Sequence, residues 1–275
     1  MTDQLVVVAA LAEAELAACE LFDFGALAVE ERARIDGVEL IAGFEVGTDL
    51  VAVAAALRWA RSATVLPVAD DGLDRWREHA TPTVVGPLAI VPAWLTFEGE
   101  APHLVRIEPG RAFGIGDHPA TRLALTSLVE VVRAGDSVLD VGCGTGVLAI
   151  AAAKLGAANV VGVDVDAHAL EVARANVATN GVDGAVSIID RELDRIDEQF
   201  DVVVANLGGL ELPLRLRHDL LRVTARVLIV SGFLDDQVAT ALTSFGDADV
   251  RHLDGWAALT CSNSSRGERV MHARG

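Results

Sequence analysis

Residues 138–146 read VLDVGCGTG, and Asp164 ends the run VVGVD about twenty positions further on. The pattern fits an apolar strand ending in an acid, then a turn built on Gly142, Gly144 and Gly146. A helix over residues 147–155 follows, its N-terminus aimed at the same point. Asp164 falls where a second parallel strand should end, placed to accept hydrogen bonds from a ribose. The chemistry indicated is nucleoside binding, with the glycine turn, Gly144 included, lying against the ligand.

The glycine spacing narrows the choice of nucleoside. A dinucleotide site needs G-x-G-x-x-G, so that a pyrophosphate rests on the helix N-terminus. Here the spacing is G-x-G-x-G, Val147 stands where the third dinucleotide glycine belongs, and Asp140 puts a carboxylate where a diphosphate would lie. S-adenosylmethionine, a cation without phosphates, suits the loop. The competing reading is an ordinary tight strand-to-helix turn; the strand, Asp140 and Asp164 together argue against it.

Two further segments carry candidate chemistry. Residues 112–121 read AFGIGDHPAT, too rich in Gly and Pro for a helix or a central strand. The segment can fold over the glycine turn as a lid, with Phe113 packing on the ligand and Thr121 offering a hydroxyl to its polar tail. Alternatively it is a surface turn capping the next helix, with His118 merely packing and Asp117 as the cap. His118 as a general base lacks any identifiable orienting acid. Residues 201–209 read DVVVANLGG, which delivers Asn206 to the carboxyl end of a buried strand, where open α/β sheets bind their ligands. The Asn206 amide and the carbonyl of Leu207 can accept hydrogen bonds from an amine, and Gly208 and Gly209 leave room for it. An Asn in that position is also a common turn former, and Asp166 reads most simply as a helix cap.

The elements that must hold these groups form two regions. Residues 1–95 read as a small α+β unit. It has strands over 5–9 and 38–46, a helix over 13–24 with Leu16, Cys19 and Phe22 on one stripe, and a helix over 49–60 capped by Asp49. Residues 96–105 read as a linker. From 106 to 275 strands alternate with helices: strands Ser137–Val141, Asn159–Val163, 185–189, 201–205 and 226–231, and helices 120–131, Ala167–Thr179 and 211–223. Such alternation requires a doubly wound α/β sheet covered on both faces.

Composition removes several classes. The one apolar stretch long enough to suggest a membrane span, residues 141–163, contains five glycines and Lys154, which a spanning helix tolerates poorly. Cys19, Cys143 and Cys261 have neither disulfide nor metal spacing, which favours a reducing cytoplasm. A net charge of −18 repels nucleic-acid backbones and favours basic partners, although it also serves solubility. No direct DNA binding is expected.

Several segments together resemble the PrmA family, bacterial methyltransferases of large-subunit ribosomal protein L-eleven (L11). They are EPGRAFGIGDHPAT, VLDVGCGTGVLAIAAAKLGA, VVGVDVDAHALEVARANVATNGV, FDVVVANL and LIVSGF; DRWREHATPTVVGPLAIVPAW resembles the end of the family's recognition domain. The resemblance implies a Rossmann-like class I methyltransferase domain behind a ferredoxin-like domain that holds L11. It also implies S-adenosylmethionine contacts at Thr121, Gly142, Asp164 and Asn206. Ile115 and Asp117 stand where the family usually has threonines, and Gly208 replaces a larger apolar residue; these departures bear on substrate choice more than on the cofactor. The expected reaction is direct displacement of the sulfonium methyl by a lysine ε-amine or an N-terminal α-amine. Asn206 would direct the lone pair, with neither metal nor covalent intermediate required. An NAD-dependent oxidoreductase, a non-catalytic adenosylmethionine-binding factor and a lysine methyltransferase of another protein are the competing functions.

Overall fold

The computed structural model describes residues 3–10, 17, 20–22, 24–34, 37–44, 47–57, 60–66, 80–110, 116–208 and 214–262. They divide into two compact units, Met1–His79 and Ala80–Gly275.

In the first unit, strands β1 (Asp3–Ala9), β2 (Ala26–Arg34), β3 (Gly37–Phe44) and β4 (Ser62–Leu66) form a sheet in the order β2-β3-β1-β4. Residues 17 and 20–22 are helical, and α1 (Leu50–Ala56) precedes β4. This is the ferredoxin-like order expected from the resemblance. Asp49 caps α1 as expected, its carboxylate accepting the Ala52 N–H at 3.0 Å. Ala17 and Leu21 are buried while Phe22 is exposed, so the inward stripe of the first helical segment runs through residues 17 and 21; Leu16 and Cys19 lie outside the described residues. β2 escapes an alternation search because its second half is EERAR, at the edge of the sheet.

The second unit begins earlier than the sequence suggested. β5 (Thr83–Val85) and β6 (Leu88–Pro92) belong to a three-stranded sheet with β7 (His103–Ile107). β6 pairs in parallel with β7 along five residue pairs and is buried throughout. Residues 80–95 therefore cannot close the first unit, and the expected linker 96–105 is the connection and start of β7 inside the second. Polar residues at its centre gave it a linker-like composition.

Seven strands make the main sheet: β8 (Ser137–Val141), β9 (Asn159–Val163), β10 (Val186–Ile189), β11 (Phe200–Asn206), β12 (Thr224–Leu234), β13 (Asp249–Leu253) and β14 (Trp256–Ser262). Their order is β10-β9-β8-β11-β12-β14-β13, with β14 antiparallel to both its neighbours and the rest parallel. The central strands β8, β11 and β12 are buried on both faces, which is why they read as nearly unbroken apolar runs. Val138, Val202, Val204 and Ile229 face one core with helices α2 (Pro119–Val131), α3 (Val147–Lys154) and α4 (Ala167–Thr179). Leu139, Val203, Ala205 and Leu228 face the other, with α5 (Leu214–Val223) and α6 (Val238–Phe245). Among the described residues no helix is long and apolar enough to cross a membrane.

Candidate active site

A cavity of about 590 Å³ opens at the carboxyl ends of β8, β9 and β11, the position that strand-order reversal creates in an open parallel sheet. Gly142, Gly144, Asp164 and Asn206 all line it.

The glycine turn is held to the end of β9. The N–H groups of Gly142 and Cys143 donate to the Val163 carbonyl at 2.8 and 3.0 Å, and that of Gly144 donates to Asp164 Oδ2 at 2.9 Å. Gly142, Gly144 and Gly146 have φ of +71°, +52° and +79°, a region that L side chains rarely adopt. A Cβ on Gly142 would also stand 2.5 Å from Leu207 Cδ2, a contact that this side chain could relieve by turning. The turn thus packs against the loop after β11 as well as facing the cavity. Cys143 is buried within it, and burial pushes its thiol above the ordinary cysteine range.

Asp164 is pre-aimed. Its Oδ2 takes the Gly144 N–H and its Oδ1 the Asp166 N–H at 3.0 Å. A carboxylate has about four acceptor sites, so acceptor capacity remains on both oxygens. Asp166 caps α4 through the His168 N–H at 2.9 Å.

Asp140 behaves differently from its first reading. It is fully buried and does not line the cavity. Its Oδ2 accepts the Ala149 N–H at 3.0 Å, satisfying a donor in the first turn of α3 that Gly146, the N-cap, cannot reach with a side chain. Its Oδ1 is buried and has no hydrogen-bond partner among the described residues. Desolvation raises the carboxyl to about 7, against the Ala149 bond, and nearby Asp164 adds to the rise. Asp140 therefore works against a phosphate less by its charge than by occupying an α3 N–H that a phosphate would need.

Asn206 ends β11 with its carboxamide fixed from behind. Its Nδ2 donates to Thr121 Oγ1 at 3.1 Å, and Thr121 is completely buried and absent from the cavity wall. The hydroxyl foreseen as a ligand contact accepts from Asn206 in this structure and does not face the cavity. A second tie runs from Ser231 Oγ to the Ala120 carbonyl at 2.8 Å, anchoring the start of α2 to β12. The Leu207 N–H donates to the Ser231 carbonyl at 3.1 Å. Gly232, with φ +96°, lets the chain pass so near that a Cβ there would lie 2.0 Å from the Leu207 carbonyl oxygen. Among the described residues nothing lies within 4 Å of a Cβ position on Gly208.

His118, not Asp117, caps α2: its Nδ1 accepts the Ala120 N–H at 3.2 Å. Its ring meets Trp256 edge to face at 4.6 Å, while Asp117 is exposed. Phe113, Ile115 and Gly209 lie outside the described residues. Sequence reasoning missed Val165, which is 93% exposed beside Asp164, and Arg191, Glu192 and Leu193 after β10. All four follow strand ends on the cavity side, so extending the carboxyl-end rule to β10 would have found three of them.

Residues 12–264 match the family described as ribosomal protein L11 methyltransferase (PrmA). The chain belongs to this family. The PrmA-family relative of Geobacter metallireducens is 44% identical over 183 residues, which are 64% of this chain and 59% of the relative. That of Dictyoglomus turgidum is 35% identical over 202 residues, 70% of this chain and 67% of the relative. The matched region spans 59%, 58% and 59% of three such relatives. The crystal structure of a ribosomal protein L11 methylase from Lactobacillus delbrueckii subsp. bulgaricus aligns with a TM-score of 0.58 and 30% identity, covering 64% of this chain and 96% of that one. The seven-stranded sheet of this PrmA-family chain is the class I methyltransferase arrangement that the resemblance implied.

Proposed function

We propose that this chain binds S-adenosylmethionine in the cavity and transfers its methyl group to lysine ε-amines or the N-terminal α-amine of ribosomal protein L11 in the cytoplasm. The observation that carries the reading is the convergence on one cavity of the glycine turn, the pre-aimed Asp164 and the braced carboxamide of Asn206. The cavity volume lies within the ~300–1,000 Å³ range of small-ligand sites. The unused acceptor sites on Asp164 suit a diol, and apolar Val163, Val165 and Leu207 suit the remainder of a nucleoside. Gly142, Gly144 and Asp164 would hold the cofactor, with Phe113 as an expected further contact.

Bound adenosylmethionine supplies a methyl group already activated by its sulfonium. The protein must present a neutral amine in line with it, and orientation of this kind can supply several kcal/mol. An exposed lysine is neutral in roughly one molecule in a few thousand at neutral pH. Entry past apolar walls disfavours its charged form. One N–H of Asn206 Nδ2 is held by Thr121, which fixes the carboxamide and leaves Oδ1 to accept an amine N–H together with the Leu207 carbonyl. Thr121 acts through Asn206. Asn206→Ala is expected to reduce turnover far more than cofactor affinity, measured by methyl-transfer kinetics beside calorimetric titration. Equal loss of both, or of neither, would contradict this role.

A further inference from the structure

Helix α4 carries Asn176 and, at its C-cap, Asn180, and both face strand β7. β7 is an edge of its three-stranded sheet, and among the described residues no strand pairs with the open side of Arg106 or with Glu108, which follows the strand's end. The two carboxamides take that place. Asn180 Oδ1 accepts the Arg106 N–H at 2.8 Å and its Nδ2 donates to the Arg106 carbonyl at 2.7 Å. Asn176 Oδ1 accepts the Glu108 N–H at 2.9 Å and its Nδ2 donates to the Glu108 carbonyl at 2.9 Å. The match is geometric: four helical residues rise about 6 Å, close to the roughly 6.7 Å between residues i and i+2 of a strand.

The two asparagines differ in one respect. Asn176 Nδ2 also donates to the Thr145 carbonyl, inside the glycine turn, at 2.9 Å, and its side chain is buried. The remaining Asn180 amide bond goes to the Asn176 carbonyl of its own helix, at 2.8 Å. The α4 face beside Asn176 also packs on the turn, since a Cβ on Gly146 would stand 3.2 Å from the Ala173 Cβ. Its neighbour Val172 packs just past Glu108, where a Cβ on Gly110 would stand 2.9 Å from Val172 Cγ2.

We propose that Asn176 is a positioning residue of the cofactor site, its carboxamide joining the Thr145 carbonyl of the glycine turn to both backbone groups of Glu108. Through this joint the conformation of the turn and that of the end of β7 are set together. Asn180 performs the strand-replacing half of the task alone and is a matched control. The inference rests on the glycine turn being where the cofactor docks.

The test titrates S-adenosylhomocysteine into the full chain and its Asn176→Ala and Asn180→Ala variants, well below their unfolding temperatures. Asn176→Ala removes three hydrogen bonds, of which the one to the Thr145 carbonyl bears on the turn, and is expected to weaken binding about tenfold; Asn180→Ala is expected to weaken it less than about twofold. Should Asn176→Ala fail to fold, amide exchange on the unmodified chain decides. Adenosylhomocysteine should then slow exchange of the Glu108 amide by at least about fivefold while leaving that of Arg106 nearly unchanged. Equal effects of the two variants, or equal responses of the two amides, would overturn the proposal while leaving the cofactor reading intact. An unmodified chain that does not bind adenosylhomocysteine would overturn the cofactor reading itself.

Discussion

Thr121→Val removes one oxygen from a completely buried position and keeps the side-chain shape. What it deletes is the acceptor of the 3.1 Å bond from Asn206 Nδ2. Asn206 is only partly buried, so its freed N–H is neither fully stranded nor freely solvated. The cost therefore lies between about 1 kcal/mol for an ordinary hydrogen bond and up to ~3 kcal/mol for an abandoned buried donor. A value near 1.5 kcal/mol, expressed in the orientation of the carboxamide, lowers kcat roughly tenfold. Because Thr121 does not line the cavity, Kd for adenosylmethionine should change by less than about twofold. Steady-state methyl transfer and calorimetric titration on the same preparation give both numbers. Thr121→Ser, which restores the hydroxyl, should recover most of the turnover. A Kd that rises as much as kcat falls would mean that Thr121 touches the cofactor itself, and the positioning argument would be refuted. Unchanged kcat would refute it equally.

Gly232→Ala forces a Cβ to within 2.0 Å of the Leu207 carbonyl oxygen at φ +96°, so that loop must retreat by more than about 1 Å. A displacement of that size at a reacting centre costs about 100-fold in turnover, and kinetics near those of the parent chain would show that the Leu207 carbonyl is not required. Asp140 carries a pH signature. Its carboxyl titrates near 7 in the folded chain against 3.8 in its absence. Between those values the folded state holds the extra proton, so its contribution to stability falls as pH rises. Asp140→Asn keeps the acceptor for Ala149 and abolishes the titration. Its stability relative to the parent, from urea unfolding, should grow by up to about 4 kcal/mol between pH 4 and pH 8, and a pH-independent difference would contradict the assignment.

The second unit was legible where burial leaves the plainest mark. Strands β8 and β9 and helix α4 have the boundaries expected of them, because strands covered on both faces are continuous apolar runs and Gly142 and Asp166 punctuate their ends. The main sheet's antiparallel edge, β13 and β14, was not foreseen; Asp249–Leu253 mixes two charges with a histidine and is half-exposed. Residues 103–105, the start of β7, fell in the expected linker because their role appears only once β6 pairs beside them. The same limit applies within the site. Gly142, Asp164 and Asn206 were visible because each ends a predicted strand. Asn176, Ser231 and Gly232 act through partners 31 to 111 residues away or through a backbone approach, and no local pattern announces such contacts. Asp140 was noticed for its charge, whereas depth of burial decides its behaviour.

The most direct measurement is the intact mass of ribosomal protein L11 from the same organism after incubation with this chain and adenosylmethionine. The account predicts increments of whole methyl groups, absent with Asp164→Ala, whose loss of the ribose-side carboxylate should abolish cofactor binding. An unchanged L11 mass beside tight adenosylmethionine binding would contradict the assigned substrate and point to another amine-bearing protein or to a binding factor that transfers nothing.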